Sequence, residues 1–313
     1  MTELRLVYMG TPDFAVPCLD ILAAEGYELA AVVTQPDRPK GRGQKLTPSP
    51  VKECALRHGV PVLQPEKIRR PEFVAEIAAL APDVIVVVAF GQFLPQAMLD
   101  IPPLGCINVH ASLLPQYRGA APIHWAVING EARSGVTTMF MDRGMDTGDM
   151  ILRAEAAIAP DESSGELHDR LKVLGAELLA RTLKLAAAGS APRIKQDEAL
   201  ATYAPLLTRE TERIDWYKPA QAVHNLVRGL NPWPGAYCLH RDKTLKIWQT
   251  GFRPTGTAAQ EPGRVIAVSG DSIVVATAAG TVELREVQPE NRRRMAAGEY
   301  ARGYNLDVGE ILG

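Results

Sequence analysis

The chain has only four cysteines in 313 residues, Cys18, Cys54, Cys106 and Cys238, and no two of them form a CxxC pair. Their scatter excludes a zinc-ribbon pattern, offers no disulfide framework, and leaves free thiols in a reducing compartment as the economical reading. Long hydrophobic runs are missing too. The most apolar stretch, Val84–Phe90, falls far short of the ~20 residues that span a bilayer. The opening stretch, Met1–Tyr8, is too short and too charged for a signal peptide. A cytoplasmic protein is therefore expected. Neither sign of charge dominates, since 34 Lys+Arg against 36 Asp+Glu leave a net charge of −2. A uniformly basic nucleic-acid binder is excluded by that balance, whereas a local basic patch is not. Glycine is short where a dinucleotide fingerprint would need it. Gly10-Thr11-Pro12-Asp13-Phe14 has one glycine where GxGxxG needs three, which argues against a nicotinamide or flavin cofactor. There is no Gly-x-Ser-x-Gly elbow, which argues against a serine hydrolase.

What is present is ordinary for a globular protein: 46% apolar and 22% charged residues. At roughly 150 residues per domain, the length predicts two domains. Leu4–Met9, Phe14–Ala24 and Leu29–Thr34 read as strand, helix and strand, the signature of a βαβ unit and a parallel sheet. Val84–Ala89 is a β-branched run of the kind buried on both faces. Ile107–His110, Gly135–Met141 and Met150–Leu152 read as further strands. Ser164–Ala188 reads as one long helix with Leu167, Leu171, Leu174, Leu178 and Leu185 along a stripe. The first domain, 1–188, is thus expected to be an open α/β sheet, followed by a polar linker over 189–209. In the second domain, 210–313, Pro219–Leu230 reads as a helix. Short β-like runs follow at Ala236–His240, Leu245–Thr250, Arg264–Val268, Ile273–Thr277 and Thr281–Val287, which predicts a small β-barrel.

The stretch richest in chemistry is Asn108-Val109-His110-Ala111-Ser112-Leu113-Leu114-Pro115. Strand alternation sets Asn108 and His110 on one side of the chain and Val109 on the other. An amide beside an imidazole at a strand end suits attack on a carbonyl, with the amide stabilising an oxyanion and the imidazole moving a proton. A buried histidine bonded to backbone, with asparagine capping a turn, fits the same residues. Downstream, Asp142-Arg143-Gly144-Met145-Asp146-Thr147-Gly148-Asp149 lacks the further ligands of a calcium loop. Asp142 and Asp149 read as turn residues, while Asp146 could reach back to His110. Gln35–Pro50 has four prolines and two glycines, and its basic residues Arg38, Lys40, Arg42 and Lys45 face one acid, Asp37. It reads as a long exposed loop without regular structure that could grip phosphates. Asn231-Pro232-Trp233-Pro234-Gly235 reads as a rigid turn whose aromatic packs, and Arg292-Arg293-Arg294 as a solvated face.

Taken together, these stretches resemble the methionyl-tRNA formyltransferase family over essentially the whole chain. The resemblance rests on Met9–Phe14, Gln35–Pro50, Asn108–Pro115, Tyr117–Pro122, Met145–Met150 and Asn231–Gly235. The Asn-x-His-x-Ser-Leu-Leu-Pro block is shared with the wider set of 10-formyltetrahydrofolate-dependent enzymes; the basic loop and the Asn-Pro-Trp-Pro segment point to the tRNA enzymes. The resemblance implies a Rossmann-like domain followed by an OB-like barrel. It implies Asn108, His110 and Asp146 as the catalytic trio, with Ser112, Leu113, Leu114 and Pro115 bordering the folate. It implies Arg38, Lys40, Arg42 and Lys45 as a loop that meets the tRNA acceptor end, Arg42 foremost. 10-Formyltetrahydrofolate is the implied donor and initiator methionyl-tRNA the acceptor, with no metal and a monomer sufficient. Formyl transfer to another amine, or hydrolysis of the same folate, is the alternative. The charge balance also resolves into parts: residues 206–313 hold 14 basic and 12 acidic side chains, while Asp37–Lys45 carries a local +3.

Overall fold

The computed structural model describes residues 4–40, 45–254 and 260–313. Its strands follow the β-branched and alternating runs. In chain order they are β1 (Arg5–Gly10), β2 (Glu28–Val33), β3 (Arg38–Lys40), β4 (Lys45–Thr47), β5 (Val62–Leu63), β6 (Val84–Val88), β7 (Cys106–His110), β8 (Arg118–Gly119), β9 (Arg133–Phe140) and β10 (Met150–Ala157). Then come β11 (Tyr203–Ala204), β12 (Ala236–His240), β13 (Lys243–Arg253), β14 (Val265–Val268), β15 (Ile273–Ala276), β16 (Thr281–Pro289) and β17 (Met295–Ala296). The chain divides into two units. One comprises Met1–Gly119, Ser134–Ala156 and His168–Tyr203; the other comprises Ala120–Arg133, Ala157–Leu167 and Ala204–Gly313.

The first unit is a Rossmann-like sheet of order β10-β9-β7-β6-β1-β2-β5. β5, β2, β1, β6 and β7 run parallel, and β9 runs antiparallel to β7. Every residue of β6 is buried, as a central strand covered on both faces requires. Val7, Met9, Val33, Ile85 and Val87 pack with Phe73 and Ile77 of the helix Pro71–Ala79. The helix Ser164–Ala187 backs β7 and β9. At Gly175 an added Cβ would come 3.2 Å from Val109, a contact tight enough to favour glycine there. Thr182 reinforces this packing by sharing a hydrogen bond with Thr138 (2.8 Å). Because Val109 meets the helix, the pleat directs Asn108 and His110 to the opposite face. The strand order reverses between β1 and β6, so the carboxyl ends of those strands form a topological switch point, where open α/β sheets hold ligands.

The second unit carries an antiparallel sheet of order β12-β13-β16-β15-β14, with β17 added to β16. Leu245, Ile247, Val275, Val282 and Leu284 form its core with Val223 and Val227 of the helix Ala220–Gly229. The last residues complete the ring of strands. Gly313 exchanges backbone hydrogen bonds with Leu239 on β12, while Leu312 donates to Gly263 and Val265 on β14 donates to Glu310. Among the described residues, no helix is long and apolar enough to cross a membrane.

The basic segment after β2 departs from the expected irregular loop. β3 and β4 pair as an antiparallel ladder, Arg38 opposite Thr47 and Pro39 opposite Leu46. Asp37 anchors the base, since its carboxylate meets Lys52 (2.7 Å) and accepts from Gln64 (2.7 Å). Ser49 then caps the helix Pro50–Arg57, accepting from the Lys52 amide. Strand pairing and a capped helix together satisfy backbone groups that a bare loop would leave to water.

Candidate active site

Asn108 and His110 close β7, one strand from the switch point. The Asn108 amide makes no hydrogen bond to another described residue, so it remains available to an incoming group. His110 is 6% exposed. Its Nε2 lies 3.0 Å from the Tyr117 carbonyl. A carbonyl can only accept, so Nε2 carries a proton and the lone pair of the neutral ring is on Nδ1. Nδ1 lies 3.6 Å from Oδ2 of Asp146. Two acceptor atoms thus face each other, an arrangement suited to taking up a proton between them and passing it on.

Asp146 is brought to His110 by a tightly built loop. Its backbone is left-handed (φ +55°), a region that aspartate tolerates better than most residues. Oδ2 accepts from the Gly119 amide (2.8 Å). Asp142 closes the turn before it, accepting from Gly144 (2.9 Å) and Thr147 (2.6 Å). Asp149, after it, pairs with Lys195 (2.8 Å). Gly148 presses on the strand end, where an added Cβ would stand 1.7 Å from the Phe140 carbonyl, so any side chain there would push the loop away.

The segment 112–115 is built into the protein more firmly than its sequence conveys. Ser112 donates to the Gln116 carbonyl (2.6 Å), and Leu114 is buried with Met139 and Met150. Leu113 is partly exposed and lies over Gly135, and Pro115 follows a cis peptide bond. Of the basic loop residues, Arg38 is exposed on β3, Lys40 and Lys45 end the paired strands, and Arg42 lies outside the described residues. Trp233 departs from the packing expected of it. Its neighbours Pro232 and Gly235 crowd Gly165 and Trp248, but its own ring is 68% exposed.

Several residues near the strand ends were not legible in the sequence. The Thr11 hydroxyl donates to the Phe90 carbonyl (3.1 Å), and the Gln35 side chain donates to the same oxygen (3.3 Å), tying the turns after β1, β2 and β6 together. Arg118, Gln196 and Glu198 form a network beside Asp146, and nothing in their spacing announces it. Among the described residues, two groups combine metal-binding atom types, Asp20–Cys54–His58 and Asp13–His168–Asp169. Neither contains a member of the trio. Arg57 stands 3.7 Å from Asp20, and Lys172 reaches Asp169 (2.6 Å) and Asp13 (3.6 Å), so each group already holds a cationic side chain.

Comparison with known proteins bears on both units. The profile described as formyl transferase matches residues 4–183, and the formyl transferase C-terminal domain profile matches 206–305. A methionyl-tRNA formyltransferase of Geotalea uraniireducens is 53% identical over 313 residues, covering 100% of this chain and 99% of that one. The methionyl-tRNA formyltransferase of Ruminiclostridium cellulolyticum is 51% identical, over 99% of this chain and 100% of its own. Among solved structures, an N-formyltransferase from Helicobacter canadensis superposes with a TM-score of 0.65 at 17% identity, covering 92% of this chain and 100% of that one. HypX from Aquifex aeolicus in complex with tetrahydrofolic acid gives 0.62 at 17%, covering 99% of this chain and 49% of that one.

Proposed function

Because the chain belongs to the formyl transferase family, we propose that it moves a formyl group from 10-formyltetrahydrofolate to the α-amino group of methionine on initiator tRNA. The observation that carries the choice of acceptor is full-length identity of 51% and 53% to relatives named for that reaction. The chemistry is supported by the pairing of His110 with Asp146 and by the Asn108 amide, which no described residue engages. In this reading the second unit and the basic segment after β2 serve the tRNA, through Arg38, Lys40, Arg42 and Lys45. The enzyme works in the cytoplasm as a monomer, with a catalytic domain over 1–188, a linker over 189–209 and an OB-like domain from 210.

The residues present fit a formyl donor laid against the strand ends. The amine of the acceptor attacks the formyl carbon, forming a C–N bond and moving the carbonyl pair onto oxygen. Asn108 donates to that oxygen, and His110 can add an N–H once its Nδ1 has taken up the proton of the attacking amine; removing one such donor costs ~10²–10³ in turnover in comparable sites. Asp146 and His110 carry the proton from the attacking nitrogen to the folate nitrogen as its bond to carbon breaks. Ser112 and Leu114 hold the 112–115 segment in shape from within, leaving Leu113 and the backbone to border the folate.

The test is single-turnover formylation with charged initiator tRNA and the folate donor. Formylmethionyl-tRNA is the expected product, with His110→Ala and Asp146→Ala reduced at least a hundredfold or so. Formate alone would mean a hydrolase, and formylation of a different amine would move the acceptor. Near-normal transfer by either variant would remove the assigned roles.

A further inference from the structure

Arg118 is a charged side chain with no exposed surface (0%). Its guanidinium makes four hydrogen bonds to two side chains: Nη1 and Nη2 donate to the two carboxylate oxygens of Glu198 (2.9 and 2.8 Å), and Nε and Nη2 donate to Oε1 of Gln196 (3.0 and 2.8 Å). Glu198 favours the charged guanidinium, and the guanidinium in turn holds the Glu198 carboxyl below its ordinary range. Because a guanidinium only donates, the amide of Gln196 can take one orientation, oxygen toward Arg118 and nitrogen away from it. That nitrogen meets two carbonyls of the catalytic loop, those of Asp146 (2.7 Å) and Gly148 (2.8 Å).

The same short stretch, residues 117–119, therefore touches every part of the proton-handling pair. Tyr117 presents its carbonyl to His110, Gly119 presents its amide to the Asp146 carboxylate, and Arg118 orients the glutamine that grips the backbone of Asp146. We propose that Gln196, oriented by Arg118 and Glu198, is a positioning residue that holds Asp146 in its left-handed backbone conformation and so sets the separation between its carboxylate and His110. The proposal rests on the catalytic reading of His110 and Asp146. Gln196 touches neither partner's reacting atoms and acts through the loop. Its two N–H groups clamp the carbonyls on either side of Thr147, which pins the residue whose carboxylate must face the imidazole. Loss of the clamp lets the loop relax, and a displacement of about 1 Å at a reacting group can cost on the order of a hundredfold.

Two variants separate this role from bulk stabilisation. Gln196→Glu keeps an acceptor for Arg118 but removes both donors to the loop. Gln196→Met removes acceptor and donors without adding charge. Both are expected to lower single-turnover formylation about tenfold to a hundredfold, with KM for folate and tRNA little changed; Gln196→Glu turns an acceptor toward the two loop carbonyls, so its melting temperature falls while its circular dichroism spectrum stays that of the parent. If Gln196→Met fails to fold, Gln196→Glu alone carries the test. In an Asp146→Asn background, Gln196→Glu should add little further loss, since both changes act on one interaction. A Gln196→Glu protein that turns over like the parent would overturn the proposal, as would a full multiplicative loss in the Asp146→Asn background. Asp146→Asn acting at the parent rate would instead sink the catalytic reading, an outcome separable from any behaviour of Gln196.

Discussion

His224, in the second unit, shows how one side chain couples stability to pH. It is buried, with Nδ1 3.0 Å from the Thr250 hydroxyl and Nε2 3.3 Å from the exposed carboxylate of Asp161. Burial disfavours its charged form, and Arg228 and Arg285 add to that against the pull of Asp161, so its proton affinity is lowered. The unfolded chain takes up a proton on this residue near the ordinary histidine value of ~6.5, while the folded chain resists. The stabilising contribution is therefore complete above that pH and is lost as pH falls below it toward the depressed folded value, at no more than about 1.4 kcal/mol per pH unit. Urea titrations between pH 7.5 and 5 should show that slope, and His224→Gln should flatten it; an unchanged slope would place the pH sensitivity elsewhere. The four thiols are buried, each pushed up to about 12 mainly by burial, which agrees with cysteines that pack. Histidine and aspartate could be matched in the sequence because each stands in a short patterned stretch. Gln196 could not, because it lies in a polar run where one glutamine reads like any other, and only the fold reveals that a buried arginine fixes its orientation.

The hairpin of β3 and β4 gives the basic residues a frame. Its root is fixed by Asp37 to Lys52 and Gln64, and its second strand runs into a capped helix. Changing Arg42 to Ala is expected to raise KM for tRNA about tenfold, the loss of a charged contact worth ~1.4 kcal/mol, and to leave KM for folate unchanged. Equal changes in both would make the segment a support for the fold alone. Elements with strong periodicity were readable in advance: β12 occupies the residues assigned to it, and the long helix ends at Ala187, one residue from its expected end. The helices Pro50–Arg57, Pro71–Ala79, Pro122–Ile128 and Ala297–Tyr304 were not assigned from the sequence. They are short, and three open on proline, which looks like a breaker until its place in the first turn is known. The two-residue strands β5 and β17 are too brief for any alternation to show.

At the scale of the molecule, near-neutral net charge conceals a division of labour. A local +3 on Asp37–Lys45 and a mildly basic C-terminal stretch sit within a chain of net −2. Strand order in space is what sequence order could not convey: β6 follows β5 along the chain yet lies beside β1, and that reversal creates the switch point near which the trio sits. The second unit depends on residues distant in sequence in another way. Deleting residues 310–313 removes the backbone bonds to β12 and β14 and strips Leu312 from the core. The loss should be at least about 2 kcal/mol from the leucine alone. It is measurable by urea denaturation, with increased light scattering as two strand edges become free to pair. An unchanged midpoint would show that the ring holds without them. The seam also orders events during synthesis. The first of the strands it joins, β12, begins more than seventy residues earlier, at Ala236, yet the ring cannot close until the segment after Gly309 has left the ribosome. Until then the growing chain carries two open edges, and a ribosome that pauses before that segment emerges prolongs the interval in which they can pair with a neighbour.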